Sequence, residues 1–307
     1  MKEENIKIIS DQDSLELDCL LIKPNKEIKA IVEIAHGMNE HKERYIDFMK
    51  FLAKNGYASF IHDHRGHGKS IKNINDLGYF YEDNASYVVE DLHQINEYLK
   101  NKFKDKKIIL FGHSMGSMIV RKYISKYAHT IDGLIVCGSP SKNNASKLGL
   151  KVVKLLKSIK GERYRSEFVK KLMFGGFDKK GSEPNSWVCH NKEILKLYNE
   201  DELCKYTYTL NGYENIIKLM MDIYNPKIYN RNNLPEECGQ IFLYGHTHVG
   251  SIERIGDRII ANPGSISKPR GGSCKSYITI DEENITLKKL DGEVIRKINI
   301  NNTFHIN

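Results

Sequence analysis

The segment Ile108-Ile109-Leu110-Phe111-Gly112-His113-Ser114-Met115-Gly116-Ser117 runs an apolar strand pattern straight into a G-x-S-x-G turn. The apolar run over 108–111 reads as a buried strand, and the periodicity of 115–127 reads as a helix. Glycines at 112 and 116 permit a tight strand-to-helix reversal and close approach of neighbouring elements. Such a turn lifts the Ser114 hydroxyl to the C-terminal edge of a sheet, at a helix N-terminus. There the Met115 amide can donate to an oxyanion. An ordinary strand–turn–helix with a chance serine is the competing reading, and the flanking chain argues against it.

Upstream, 6–9 and 15–22 read as an opening strand pair, 30–35 as a buried strand, 45–54 as a helix and 57–61 as a strand. The stretch 88–99 has helical periodicity, and 134–137 is one more strand beyond the turn. Alternating buried strands and amphipathic helices predict an α/β fold with a mostly parallel sheet covered on both faces. From 141 to about 225 the alternation stops. Leu148, Val152, Leu155, Leu156 and Ile159 share one helical face, with Lys147, Lys151, Lys154 and Lys157 around it. That helix packs on the core, or forms a basic amphipathic lid that touches a membrane surface. After 227, short strand-like runs broken by Gly and Asp read as an antiparallel β meander, with Asp291-Gly292 as a hairpin turn. The expected organisation is a core over 1–140, a helical lid over 141–226 and a β tail over 227–307.

The chain has 307 residues, 40% of them hydrophobic, enough for a substantial core. The net charge of +8 is spread over interspersed Lys, Asp and Glu, which reads as solvated surface and predicts no nucleic-acid partner. Six cysteines lack C-x-x-C spacing, which fits reduced thiols. The polar start Met1-Lys2-Glu3-Glu4-Asn5 shows no signal-peptide pattern, and no apolar run approaches a membrane span, so the expected location is cytoplasmic.

Four separated blocks carry a resemblance. His36-Gly37-Met38-Asn39-Glu40-His41 with Arg44-Tyr45 resembles the oxyanion segment of the monoacylglycerol lipase/lysophospholipase group of α/β-hydrolases. Asp63-His64-Arg65-Gly66-His67-Gly68-Lys69-Ser70 resembles that group's next loop, Gly112-His113-Ser114-Met115-Gly116 its nucleophile elbow, and 198–212 its lid. Over residues 1–226 the resemblance implies a serine hydrolase of lipid carboxylic esters that needs no cofactor. Ser114 would be the nucleophile, and the Met38 and Met115 amides the oxyanion hole. His36 and His113 are read as structural neighbours of the elbow rather than as the base.

The chain then departs from that group. In this fold an acid and then a histidine follow the nucleophile in chain order. Here the strand pattern 240–244 runs into Gly245-His246-Thr247-His248, with no carboxylate, and the group's acid and histidine loops are absent. A serine without a base is a weak nucleophile, so activity is expected to be impaired. Gly245-His246-Thr247-His248, Asn262-Pro263-Gly264-Ser265 and Pro269-Arg270-Gly271-Gly272 instead resemble the C-terminal part of the small calcineurin-like metallophosphodiesterases. That resemblance, over about 228–303, marks His246 and His248 as ligands for Mn²⁺ or another divalent metal in an incomplete site. The chain therefore reads as a chimera of two hydrolase patterns. The leading expectation is an impaired lipid-ester hydrolase. The alternatives are a metal-dependent phosphodiesterase and a non-catalytic relic that binds acyl ligands. If 240–244 takes the place of the missing hydrolase strand, His246 or His248 comes within range of acting as a base for Ser114.

Overall fold

The computed structural model describes residues 1–174, 183–189, 191–225, 240–243, 249–255, 258–264, 272–280 and 283–300. The opening hairpin pairs β1 (Lys2–Ile9) with β2 (Glu16–Lys23), antiparallel throughout. β2 continues antiparallel onto β4 (Ala58–His62). β3 (Ile31–Ala35) lies parallel between β4 and β5 (Ile108–His113), and β6 (Gly133–Cys137) extends β5 in parallel. Every residue of β3 and β4 is buried, which their near-continuous apolar sequences require of strands covered on both faces.

Helices cover the two faces. α1 (Ile46–Lys54) buries Met49 and Ala53 against Leu20, Val32, Ile34 and Ile61. On the opposite face, α2 (Tyr87–Lys102) sets Ile95 and Leu99 against Ile31, Phe60 and Ile108. α3 (Met115–Tyr127) joins that face through Met118, Ile119 and Tyr123. The insert supplies α4 (Ser146–Lys160), α5 (Glu167–Phe174), α6 (Lys192–Glu200) and α7 (Leu210–Ile223). α7 is buried along most of its length and packs into the α2–α3 cluster through Leu210, Tyr213 and Ile217. α4 meets this cluster through Val153, Leu150 and Leu156, whereas Leu148, Leu155 and Ile159 face outward. The apolar face expected of α4 is thus divided between packing and exposure.

The tail also divides. β7 (Gln240–Leu243) pairs in parallel with β6, Ile135 opposite Leu243, and so joins the main sheet. β9 (Arg258–Pro263) runs parallel to β7, and β8 (Gly250–Ile255) closes the edge antiparallel to β9. Among the described residues the main sheet therefore has nine strands in the order β1-β2-β4-β3-β5-β6-β7-β9-β8. β10 (Ser276–Ile280), β11 (Asn284–Lys289) and β12 (Val294–Asn299) form a separate antiparallel meander. This is the antiparallel meander expected of the tail, and β7, β9 and β8 extend the main sheet ahead of it. β6 offers an unpaired parallel edge whose backbone groups need partners, and β7 satisfies them.

One buried acid is placed by strand alternation. Glu33 shares the α2 face of β3 with Ile31 and accepts a 2.7 Å hydrogen bond from Asn96 Nδ2. Burial raises its pKa to about 8, against a partial lowering by Asn96. The unfolded chain ionises Glu33 near its ordinary value of 4.5. The native chain holds the proton longer, so stability falls as pH rises between these two values, by about 1.4 kcal/mol per unit at most. We expect Glu33→Gln to flatten that decline, so that urea unfolding at pH 8 gives a more stable variant than the parent. Equal stabilities at pH 5 and pH 8 in both proteins would refute this.

Candidate active site

The site is built around the turn between β5 and α3. Ser114 sits at φ 51°, ψ −112°, a backbone conformation that non-glycine residues adopt only under constraint. The Ser114 N–H donates to Cys137 O at 2.9 Å, and Ser114 O accepts the Ser117 N–H at 3.0 Å. The two glycines are sterically required. A Cβ on Gly116 would lie 2.0 Å from Ala35 O, and one on Gly112 would lie 2.5 Å from Gly116 O. The first turn of α3 therefore rests directly on the end of β3. Ser114 is half-buried at the sheet's C-terminal edge, and Met115 opens α3.

The segment after β3 faces this turn. His36 is fully buried, and burial lowers its pKa, so the ring is neutral. Its Nε2 accepts the His64 N–H at 3.0 Å, which leaves Nδ1 protonated to donate to Gly37 O at 2.7 Å. Gly37 C=O and Met38 N–H belong to one planar peptide, so the direction of the Met38 N–H follows from that bond. The Gly37 N–H donates to Glu40 Oε2 at 2.9 Å. Glu40 also accepts the Tyr45 hydroxyl at 2.7 Å, and the Tyr45 oxygen lies 3.0 Å from His113 Nδ1. Burial alone would raise the Glu40 pKa, but His113 and Tyr45 outweigh it and hold the carboxyl down at about 2. His113 thus ties the elbow to the oxyanion segment through Glu40 and Tyr45. Among the described residues no imidazole hydrogen-bonds to the Ser114 hydroxyl. His246 and His248 lie outside the described residues.

A framework of buried charge holds the next loop. Arg65 is fully buried and donates to Asp91 through Nε at 2.8 Å and through a terminal nitrogen at 3.1 Å, and to Asp13 at 3.0 Å. Asp63 accepts the backbone N–H groups of Lys42 at 2.7 Å and Lys69 at 2.8 Å. The imidazoles of His62, His64 and His67 cluster with His36, and burial pushes His62 and His67 down to about 3. Motif reading selected the Asp63–Ser70 block but gave these residues no task. Neither Glu40 nor Tyr45 was singled out for a role. The available signal was the number of charged and imidazole side chains in segments that had to be buried.

The lid reaches the same segment. His41 lies between Glu43, 2.6 Å from Nδ1, and Asp201, 2.7 Å from Nε2. Burial disfavours its charge, but Cys204, Glu43 and Asp201 raise its pKa to about 10, so it is an imidazolium. Ligand-type atoms of His41, Asp201 and Cys204 lie within 4.8 Å of one another. Both imidazole nitrogens already serve carboxylates, so a cation would have to displace the proton. No helix among the described residues is long and apolar enough to cross a membrane.

Residues 26–232 match the family described as serine aminopeptidase, S33, and residues 209–284 match the calcineurin-like phosphoesterase superfamily domain. Monoglyceride lipase of Rattus norvegicus is 27% identical over 207 residues, covering 65% of this chain and 60% of the rat protein. Phosphodiesterase YfcE of Escherichia coli (strain K12) is 34% identical over 76 residues, 24% of this chain and 41% of YfcE. The crystal structure of a carboxyl esterase from Bacillus coagulans superposes with a TM-score of 0.71 at 22% identity, over 80% of each chain, which establishes a shared fold. The chain spans between about a third and three fifths of the length of the lipase relatives it matches. It joins an α/β-hydrolase to a stretch of phosphoesterase-like sequence. The match over 26–232 takes in more than half of the chain, the 36–41 segment and the turn at Ser114 included, and the chain belongs to the serine aminopeptidase S33 family of hydrolases.

Proposed function

We propose that this chain is a serine hydrolase of lipid carboxylic esters, of the monoacylglycerol or lysophospholipid kind, acting through Ser114. The observation that carries the reading is the strained elbow, with Ser114 at φ 51° on the opening of α3. A fold that keeps such strain beside an oriented Met38 peptide supports a nucleophile opposite an oxyanion hole formed by the Met38 and Met115 amides. Turnover is impaired, because the acid and histidine that normally follow the nucleophile are not supplied by the family's own loops. Loss of a triad histidine lowers kcat by about 10⁶, although hole and binding retain about 10³–10⁴ over water.

A second reading rests on β7. Its parallel pairing with β6 sets Leu243, the last residue of β7, opposite Ile135, two residues before Cys137, whose carbonyl holds the Ser114 amide. His246 follows Leu243 by three positions in sequence. That closeness along the chain supports His246 or His248 as a substitute base. The phosphoesterase-like match supports metal-dependent phosphodiester hydrolysis less well. Among the described residues the one group of metal-ligating side chains is His41, Asp201 and Cys204, in the hydrolase half.

The lid carries a further proposal. Leu148, Leu155 and Ile159 are 66%, 62% and 65% exposed along one stripe of α4, and Phe168 and Leu172 stand exposed on α5. Lys147, Lys151, Lys154 and Lys160 border that stripe. An exposed apolar stripe with basic flanks supports docking on an anionic lipid surface.

Three outcomes check these readings. A fluorophosphonate is expected to label the folded protein slowly and to leave Ser114→Ala unlabelled, while p-nitrophenyl butyrate turns over about 10³–10⁴-fold above its uncatalysed rate. Absence of labelling in folded protein would leave the non-catalytic acyl-binding reading in its place. His246→Ala or His248→Ala should slow labelling by about 10-fold or more if either acts as a base. Equal rates in both variants and the parent remove the second reading. For the lid, Leu155→Glu combined with Ile159→Glu should lower partitioning onto phosphatidylglycerol vesicles by about 10-fold or more. Unchanged co-sedimentation would count against lipid docking.

A further inference from the structure

Asn39 occupies an unusual position between the oxyanion segment and the lid. Its φ of 53° places it in the left-handed region, which asparagine tolerates better than most residues. All its donors point to one lid segment. The Asn39 backbone N–H donates to Tyr208 Oη at 3.2 Å, and Nδ2 donates to Cys204 O and to Tyr206 O, each at 2.9 Å. Tyr208 is fully buried, and its hydroxyl donates to His67 Nε2. The tautomer agrees, because His67 Nδ1 donates to Arg65 O at 3.0 Å and leaves Nε2 as acceptor. The chain of bonds ends on Arg65, held by Asp91 and Asp13.

These bonds bear on one peptide group. Met38 lies between two peptide planes. The plane before it is held at Gly37 O by His36, and the plane after it is held at the Asn39 N–H by Tyr208. With both planes held, the Met38 N–H cannot rotate without breaking a buried bond. The second hold depends on where the segment 204–208 stands, and the Asn39 carboxamide grips that segment at two carbonyls.

We propose that Asn39 is a positioning residue: it couples the lid segment 204–208 to the orientation of the Met38 amide that would stabilise the oxyanion. Lid displacement then disorders the hole, and a seated lid assembles it. The catalytic part of this inference rests on the proposed hydrolase reading, whereas the mechanical coupling does not.

Asn39→Asp tests it, because the isosteric side chain keeps the left-handed preference but turns both donors into acceptors facing two carbonyls. Asn39→Gly keeps the backbone conformation without strain and removes the grip. Hydrogen exchange by mass spectrometry reads the coupling directly. Peptides covering 37–41 and 204–208 should lose protection together in both variants, and unchanged protection of 37–41 in Asn39→Asp would overturn the proposal. Phosphonylation kinetics read the consequence. The maximal labelling rate should fall by about 10–100-fold, below the 10²–10³ expected for outright loss of a donor, while the half-saturating probe concentration stays constant. A parent-like labelling rate in Asn39→Gly would also overturn it, because the side-chain grip would then be idle. If the parent itself is not labelled, the Ser114 reading fails, and the exchange experiment alone decides the coupling.

Discussion

Gly116 has no room for a side chain, and much of the site follows from that contact. A Cβ there would meet Ala35 O at 2.0 Å, so the helix after Ser114 is seated on the last residue of the strand that leads into the 36–41 segment. With α3 seated so closely, the chain between β5 and α3 must reverse within one residue, and Ser114 takes up the strain at φ 51°. The same contact brings the two halves of a would-be oxyanion hole together. Met115 begins α3, and Met38 lies three residues beyond Ala35. The surrounding packing holds the strain in place, since α3 buries Met118, Ile119 and Tyr123 and cannot lift away without exposing them.

Around this contact the protein places polar groups where a core would ordinarily be apolar. Asp63, Arg65, His36, His62, His64 and His67 are all buried, each in a loop rather than in a helix or strand interior except His62 at the end of β4. Loops can be buried only if their backbone groups are satisfied, and these side chains do that work for the chain between β4 and α2. Asp63 caps two amides, His36 accepts one and orients a carbonyl, and Arg65 supports the whole through two carboxylates. Removing a partner from a buried pair such as Arg65–Asp91 leaves an uncompensated charge, which is why such networks behave as single units. The lid is bonded into this framework at His41 and Asn39 rather than resting on it.

The C-terminal region shows how tolerant a parallel sheet edge is. β6 presents a row of backbone donors and acceptors, and β7 meets that need with only four residues from sequence that matches another family. β9 and β8 then extend the sheet further. Backbone hydrogen bonding is indifferent to ancestry, so the sheet can be completed without its own strand. Catalysis is not indifferent, because an acid and a base must be delivered on particular loops, and strand pairing alone does not deliver them.

The strand and helix alternation, the elbow and the two family patterns were legible in the sequence, because period, glycine spacing and motif order are local properties. The placement of 240–243 beside β6 could be posed from sequence and was decided only in three dimensions, since strand pairing depends on which edge is left open. The division of α4 into packed and exposed faces, with Val153 buried and Leu155 outward, depended on where α7 came to lie. Glu40, Tyr45 and Asn39 were present in a recognised block, yet their tasks depend on partners up to 169 residues away. By itself the sequence determined the strand–helix alternation of the core and the strand–turn–helix that carries Ser114. The tertiary structure decided which polar groups meet, because hydrogen-bond partners are selected by burial and distance in space rather than by spacing along the chain.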